Sequence, residues 1–417
     1  MNEQSKKMKL LEEVPIPKAL LALGLPTMIG MLINALYNLV DTYFVGGLGT
    51  EHMGAITVAY PLGQVVVGVG LLFGNGAAAY LSRLLGRGDK EMANKVASTA
   101  LYSSVCSGAV VILCSVIFIK PILKQLGAID SVMPYALTYT RIYIVFSIFN
   151  VFNVTMNNIV SSEGAAKTAM CALITGAVLN VILDPLLIYG LNFGIAGAAI
   201  ATAASQVVST VVYLCYIFKK KSVFHFHIKE FCFTKEIMSE ILKIGIPTLL
   251  FQILTSLLVA MTNDAAAEYG GSALAAMGPV TKIMSIGSLV VFGFLKGFQP
   301  IAGFSYGSKK YERLREAIRI SIIWSTIFCV FFALILIIFP RAIVSQFAKN
   351  DMEMVRVGQM ALRANGICFV PVILFLPRIL GLRGVIYAQP IADIITAVVT
   401  AFMAYNLHKK SDLNPKL

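Results

Sequence analysis

The chain has 417 residues, 58% of them hydrophobic and 13% charged, with a mean hydropathy of +0.80 and a formal net charge of +13. A water-soluble protein of this length cannot hide so much apolar surface, whereas lipid solvates it, so soluble enzymes and binding modules are excluded. The positive charge does not point to nucleic acid either, because the basic residues sit in short links between apolar runs, where they orient helices in a bilayer.

The first seventeen residues mix Lys6, Lys7 and Lys9 with Glu12 and Glu13 and lack a cleavage-site pattern, so they do not read as a signal peptide. Apolar runs long enough to span then follow near 18–43, 53–80, 95–119, 135–160, 168–189 and 194–218. A second set lies near 241–266, 273–303 and 317–339, with a further segment within 352–380 and a last one at 384–407. Arg83, Arg87, Lys90 and Lys95 follow the second run, Lys219, Lys220, Lys221, Lys229 and Lys235 follow the sixth, and Lys309, Lys310, Arg313 and Arg315 follow the eighth. The positive-inside rule puts these links and both termini, the N-terminus included, in the cytoplasm of a multi-pass plasma-membrane protein. The link at 219–240 is the longest polar stretch and divides an N-terminal lobe, 1–218, from a C-terminal lobe, 241–417. Its Phe224, Phe226, Phe231 and Phe233 among lysines read as a segment lying on the inner membrane surface. Seven scattered cysteines without CxxC spacing read as packing residues, and His225 and His227 as interfacial rather than metal-binding; no metal site is expected.

The two halves repeat. A shift of 221 residues places Gly24, Pro26 and Thr27 on Gly245, Pro247 and Thr248, Gly49 on Gly270, Gly86 on Gly307, Glu91 on Glu312 and Asp130 on Asp351. Toward the ends of the halves the shift becomes 187, with Gly194, Gly197 and Ala201 on Gly381, Gly384 and Ala388. The second half therefore lacks a counterpart of roughly residues 144–178, with the junction near Arg363 to Gly366. The expected fold is an all-α polytopic membrane protein of two six-helix-type lobes related by a parallel internal repeat, the second shortened to give about eleven helices or a re-entrant pair. Only about 15 residues stand on each side of the junction, against the roughly 20 that one span requires. A re-entrant pair broken near Asn365-Gly366 is therefore expected in place of a single helix through 352–380 kinked at Pro371 and Pro377.

Ionisable residues inside apolar helices are costly and usually functional. Asp41 lies near the outer end of the first helix and Asp184 late in the fifth, four residues after Asn180 and on the same helix face. Asp184 lies roughly 10 Å, and Thr202 of the sixth helix about 12 Å, in from the outer side. The four residues thus reach similar depth, as an oxygen cluster that would take up H⁺ or Na⁺. Tyr37, Tyr139 and Asn157 are candidate substrate-lining residues, with Gln389, Pro390 and Asp393 as a second polar patch. Asp264, Glu268, Lys282 and Lys296 lie in or near the seventh and eighth helices, and the two lysines either pair with a carboxylate or snorkel. Gly68, Gly70, Gly74 and Gly76 sit in an apolar helix with no following Lys-Ser/Thr, which marks close helix packing rather than a phosphate loop.

Four runs, Val40-Asp41-Thr42-Tyr43-Phe44-Val45-Gly46, Ser82-Arg83-Leu84-Leu85-Gly86-Arg87-Gly88-Asp89, Leu179-Asn180-Val181-Ile182-Leu183-Asp184-Pro185 and Ala388-Gln389-Pro390-Ile391-Ala392-Asp393, resemble the multidrug and toxic compound extrusion (MATE) family, particularly its bacterial branch. The resemblance implies a twelve-helix, two-lobe antiporter that expels cationic amphipathic molecules in exchange for H⁺ or Na⁺, with no other cofactor, acting as a monomer. It assigns a cation site to Asp41, Asn180, Asp184 and Thr202. Gln252 stands where other members carry a glutamate of a C-lobe site, which argues against coupling there. A lipid-linked precursor flippase would want a cavity rich in Arg or Lys. A membrane-embedded enzyme would need a nucleophile, metal or acid–base pair, and no HExxH or GxSxG is present. An inactive truncated copy is the remaining alternative.

Overall fold

The computed structural model describes residues 3–267, 271–345, 352–380 and 391. Over these it is helical: α1 (Glu3–Glu12), α2 (Ile16–Gly46), α3 (Thr50–Arg87), α4 (Lys90–Ile117), α5 (Ile119–Gln125), α6 (Met133–Ser162), α7 (Ala166–Pro185), α8 (Ile195–Phe218), α9 (Lys235–Ala267), α10 (Gly271–Gly307), α11 (Tyr311–Ile338), α12 (Pro340–Ser345) and α13 (Met352–Leu380). Nine helices among the described residues are long and apolar enough to cross a membrane. With every backbone group paired inside its own helix, such segments are what a bilayer core admits. The last expected span, 384–407, lies outside the described residues.

The chain forms two compact units. One comprises residues 1–258 and 293–317, the other 259–292 and 318–417. In the first, α2, α3, α4 and α6 to α8 run up and down between two ends, one of which carries the basic links. The turn from α3 to α4 shows how sequence sets these ends. Gly88, at φ 76°, takes the left-handed turn that closes α3, and the Asp89 carboxylate caps α4 by accepting from the Met92 N–H at 3.0 Å.

Small residues draw the helices together. A β-carbon on Gly70 would meet Val154 Cβ at 2.8 Å, and one on Gly74 the Thr155 Cα at 2.9 Å, which fixes α3 against α6. Gly76 and Gly245 join α3 to α9 with equally little room, Gly76 against the Ile241 carbonyl and Gly245 against that of Leu72. The glycine run is thus a packing surface. Gly86 faces the Phe304 carbonyl, while Gly307 faces the carbonyl of Arg83. Shifting by 221 turns Gly86 into Gly307 and Arg83 into Phe304, so the two contacts exchange places. In the second unit, Cys329 and Ala333 of α11 form a small core with Val291 and Val372, and Val344 of α12 packs near Leu362 of α13.

Two expectations are corrected. Residues 352–380 form one helix of 29 residues that continues through Asn365, Gly366, Pro371 and Pro377, not a pair broken at the junction. An interrupted hairpin would leave unpaired backbone groups inside lipid, whereas one helix pairs nearly all of them. Cys106, Cys114, Cys171 and Cys215 lie exposed on the outer faces of their helices rather than packed inside. The sequence reading also missed α1, α5 and α12, of 10, 7 and 6 residues, which are too short to register as apolar runs.

The link 219–234 is fastened along α4. Ser98 Oγ donates to the His225 carbonyl at 3.1 Å, Cys232 N–H to Thr99 Oγ1 at 3.0 Å, and Tyr102 Oη to the Phe226 carbonyl at 3.3 Å. Of its apolar side chains, Phe224 is buried, while Ile228, Phe231 and Phe233 project outward. His225 and His227 stack on each other with centroids 6.2 Å apart.

Candidate functional site

The Asp184 end of α7 is shaped by Pro185. Proline supplies no N–H to the Val181 carbonyl four residues before it, and the chain loosens into a single π turn over Leu186–Gly190. That turn brings Tyr189 to the end of α2, where its hydroxyl donates to the Phe44 carbonyl at 2.5 Å. Lower down, a β-carbon on Gly30 of α2 would meet Leu173 of α7 at 3.1 Å, so the two helices run in close contact. Held at both levels, α2 and α7 bring the Asp41 and Asp184 carboxyl groups within electrostatic reach of each other.

Two carboxyl groups so placed in an apolar setting repel each other when both are ionised, and a proton or a cation beside them relieves that repulsion. Asn180, one turn before Asp184, donates its Nδ2 to Asp184 Oδ1 at 3.4 Å. Asn180 and Asp184 are fully buried, at 1% and 0% exposure. Asp41 Oδ1, Asp184 Oδ2 and Asn180 Oδ1 are all buried, without a hydrogen-bond partner among the described residues. Three unused acceptor oxygens on neighbouring residues are a donor set for a proton or a small hard cation such as Na⁺, and oxygen-only ligation suits both. Among the described residues no group of three or more His, Cys, Asp or Glu side chains gathers as a transition-metal site would require.

Tyr37 and Tyr139 stand beside this pair, with both phenols in electrostatic range of both carboxyl groups. Tyr139 stacks on Tyr143, centroids 5.8 Å apart and planes at 9°. Tyr143 was not singled out from sequence, although Tyr135, Tyr139 and Tyr143 are spaced four apart and so share one face of α6. Tyr135 continues the stripe by packing on His52 at 4.2 Å.

The remaining candidates fall elsewhere. Thr202 is half-buried on α8, and among the described residues it hydrogen-bonds neither carboxyl group. Asn157 sits toward the other end of α6, where its Nδ2 donates to Tyr213 Oη at 3.0 Å and its Oδ1 accepts from the Lys296 ammonium. Among the described residues Lys296 thus pairs with an amide rather than with a carboxylate. Lys282 is exposed. Gln252 donates to Gln64 Oε1 at 2.7 Å, an amide pair linking α9 to α3. Gln389, Pro390, Asp393 and Glu268, and the side chain of Asp264, lie outside the described residues.

A second carboxylate, Glu163, went unremarked in the sequence. It caps α6 at the basic end, fully buried, and accepts from Lys7 at 3.5 Å, Ser222 Oγ at 3.0 Å, the Val223 N–H at 2.6 Å and the Tyr216 hydroxyl. Through Lys7 it holds α1 against the basic end. At the far end of α1, Lys310 pairs with Glu12 at 2.9 Å and Arg313 donates to the Leu11 carbonyl at 3.1 Å.

The model of the MatE family matches residues 26–186 and again residues 247–405. The chain belongs to the MatE family. The two matches of this MatE chain begin at Pro26 and Pro247, which are 221 residues apart and repeat-mates in the shift described above. The chain is 28% identical to the multidrug export protein MepA of Staphylococcus haemolyticus (strain JCSC1435), covering 96% of this chain and 95% of that protein. To MepA of Staphylococcus aureus (strain MRSA252) it is 29% identical, covering 96% of each. Both alignments run over 432 positions, more than the 417 residues present, so these relatives carry residues that this MatE chain lacks. Among solved structures it resembles an outward-facing multidrug resistance MATE family transporter of the MOP superfamily, with a TM-score of 0.83 at 26% identity over 97% of this chain and 99% of the other. It also resembles a MOP superfamily transporter from Pyrococcus furiosus described with a binding pocket of reverse polarity, with a TM-score of 0.82 at 26% identity over 97% and 98%. The MatE chain is thus a multi-pass membrane protein with a transporter fold.

Proposed function

We propose that this protein is a multidrug efflux antiporter of the plasma membrane, which exports cationic amphipathic molecules in exchange for H⁺ or Na⁺ and works as a transporter rather than an enzyme. The observation that carries the reading is the Asp41–Asp184 carboxyl pair, with the three unpartnered oxygens around it. Bringing two carboxylates together in a low-dielectric setting is unfavourable unless a cation sits with them, so the pair is a loading point for the coupling ion. Tyr37, Tyr139 and Tyr143 give the neighbourhood aromatic faces that attract an organic cation, which makes ion and drug alternative occupants of one region. Thr202 of α8 is the fourth residue of the ion site in this reading. Gln252, already paired with Gln64, offers no charge for a second coupling site. In this reading the positive-inside rule favours a cytoplasmic side for the end of Glu163 and the N-terminus, and the lobes are 1–218 and 241–417. The export names of the MepA relatives support the same reading.

The test is efflux of a fluorescent cation from reconstituted vesicles, with a proton or a sodium gradient imposed separately. Asp41→Asn and Asp184→Asn are each expected to abolish gradient-driven export while leaving membrane insertion intact. Wild-type export rates in both variants would overturn the reading.

A further inference from the structure

We propose that the flank formed by α5 and the start of α6 holds an anionic phospholipid, whose phosphate is received by Lys120, Lys124 and Arg141.

The basic turn between α3 and α4 lies at one end of the bundle, and α4 carries the chain to the other, where α5 and the start of α6 meet. A cavity of about 510 Å³ opens there. It is lined by Lys120 and Lys124 of α5, by Asp130 in the link that follows, and by Met133, Pro134 and Leu137 of α6. The two lysines stand one turn apart and so share a face. Ile119 and Leu123, one residue before each, are buried in the core that also holds Tyr139. α5 is thus fixed from beneath while both lysines stay exposed. Neither lysine forms an ion pair among the described residues. Two cations against one carboxylate leave an excess of positive charge over an apolar floor.

A second observation lies on α6. Pro134, Thr138, Arg141 and Val145 recur every three or four residues and are all exposed, as one outward stripe. Arg141 is about 200° round the helix from Tyr139, which faces the acidic pair, so it looks away from the ion site. α6 has 30 residues, roughly 45 Å, and centred on a ~30 Å core it extends about 7 Å beyond each side. Arg141 lies about 12 Å from the Met133 end, hence roughly 5 Å inside the hydrocarbon. A cation on a lipid-facing stripe is costly there unless its side chain climbs to the headgroups. Climbing carries the guanidinium past Leu137, one turn nearer the helix start, to the cavity.

A phosphate group matches one guanidinium fork and two ammonium groups in charge and in acceptor oxygens. Ile117 and Phe118 before α5, and Ile129 after it, are each more than half exposed, so the surroundings are apolar as well. A free phosphate would leave that apolar surface and the cavity floor uncovered, whereas a phospholipid covers both. An anionic headgroup is favoured over a zwitterionic one, because a choline would bring a further cation to a site that already has an excess.

Phosphatidylglycerol and phosphatidylcholine with the same acyl chains share the phosphate, and only the second adds a cation. Native mass spectrometry of the full-length protein in detergent reads the dissociation constant of the tightest-bound lipid. The wild type is expected to bind phosphatidylglycerol about tenfold more tightly than phosphatidylcholine. Lys120→Gln with Lys124→Gln should weaken phosphatidylglycerol by about fivefold per lysine, roughly twenty-five-fold together. Arg141→Gln, made separately, should weaken it by about fivefold. Lys229→Gln with Lys235→Gln removes the same charge at the basic end and should leave the constant unchanged. Unaltered thermal unfolding without added lipid shows that each variant is folded. Equal affinity of the wild type for the two lipids, or equal loss in the two double variants, overturns the site. Displacement of phosphatidylglycerol by glycerol 3-phosphate, which has the phosphate without the chains, overturns its assignment to a lipid.

Discussion

Glu163 draws its partners from three separate stretches of chain: Lys7 of α1, Tyr216 of α8, and Ser222 with Val223 in the link. Burial pushes its carboxyl above the ordinary value of 4.5, while Lys7 and the hydrogen bonds from Tyr216, Val223 and Ser222 pull the other way. The folded state therefore holds this proton more tightly than the unfolded chain does. Its contribution to stability is complete below the ordinary value and is lost as pH rises through the raised one. Glu163→Gln cannot titrate, so its melting temperature in detergent should fall less than that of the wild type between about pH 4 and pH 8. Parallel curves would refute the assignment. Sequence exposed some residues and hid others for a physical reason. Asp41 and Asp184 stand out because a carboxyl in an apolar helix has no ordinary excuse. Glu163 lies at a polar turn, where charge is the norm, and only the fold reveals that the turn is covered. Asn157 and Lys296 were each visible singly, but their pairing spans 139 residues of sequence.

At the scale of elements, long apolar runs were legible nearly to the residue: α6 and α8 fall within a few positions of the expected spans. What composition does not carry is whether a run breaks. Gly366 and the shortness of the segments on each side of it argued for a break, yet intrinsic preference yields to the demand that backbone groups be paired in lipid. A continuous α13 makes Gly366 an ordinary interior helix position, where alanine is favoured by about 1 kcal/mol. Gly366→Ala should accordingly raise, or at least not lower, the thermal unfolding temperature of the purified protein. A marked drop would mean that the chain needs glycine there to turn.

Across the whole molecule, the shift of 221 told which residues correspond but not that corresponding residues would meet. The fold adds the docking: Gly86 against the Phe304 carbonyl and Gly307 against that of Arg83. Since the two contacts are alike, Gly86→Leu and Gly307→Leu should do similar harm. Each inserts a side chain where not even a β-carbon fits, at a cost of about 1–3 kcal/mol or more. Thermal unfolding of both variants checks this, and a strongly destabilised Gly86→Leu beside a neutral Gly307→Leu would show that the equivalence is only apparent.

Contacts that trade places in this way are those of a two-fold dimer, in which one patch meets its own copy. Two identical half-length chains, each pairing with its own copy, would make the same contacts. In such a dimer every ionisable group would be present twice. One continuous chain is free of that obligation: Asp41 stands in the first half, while its counterpart in the second is Thr262. A single chain can thus be chemically lopsided about a symmetric seam, with one acidic pair where two identical halves would have to carry two or none.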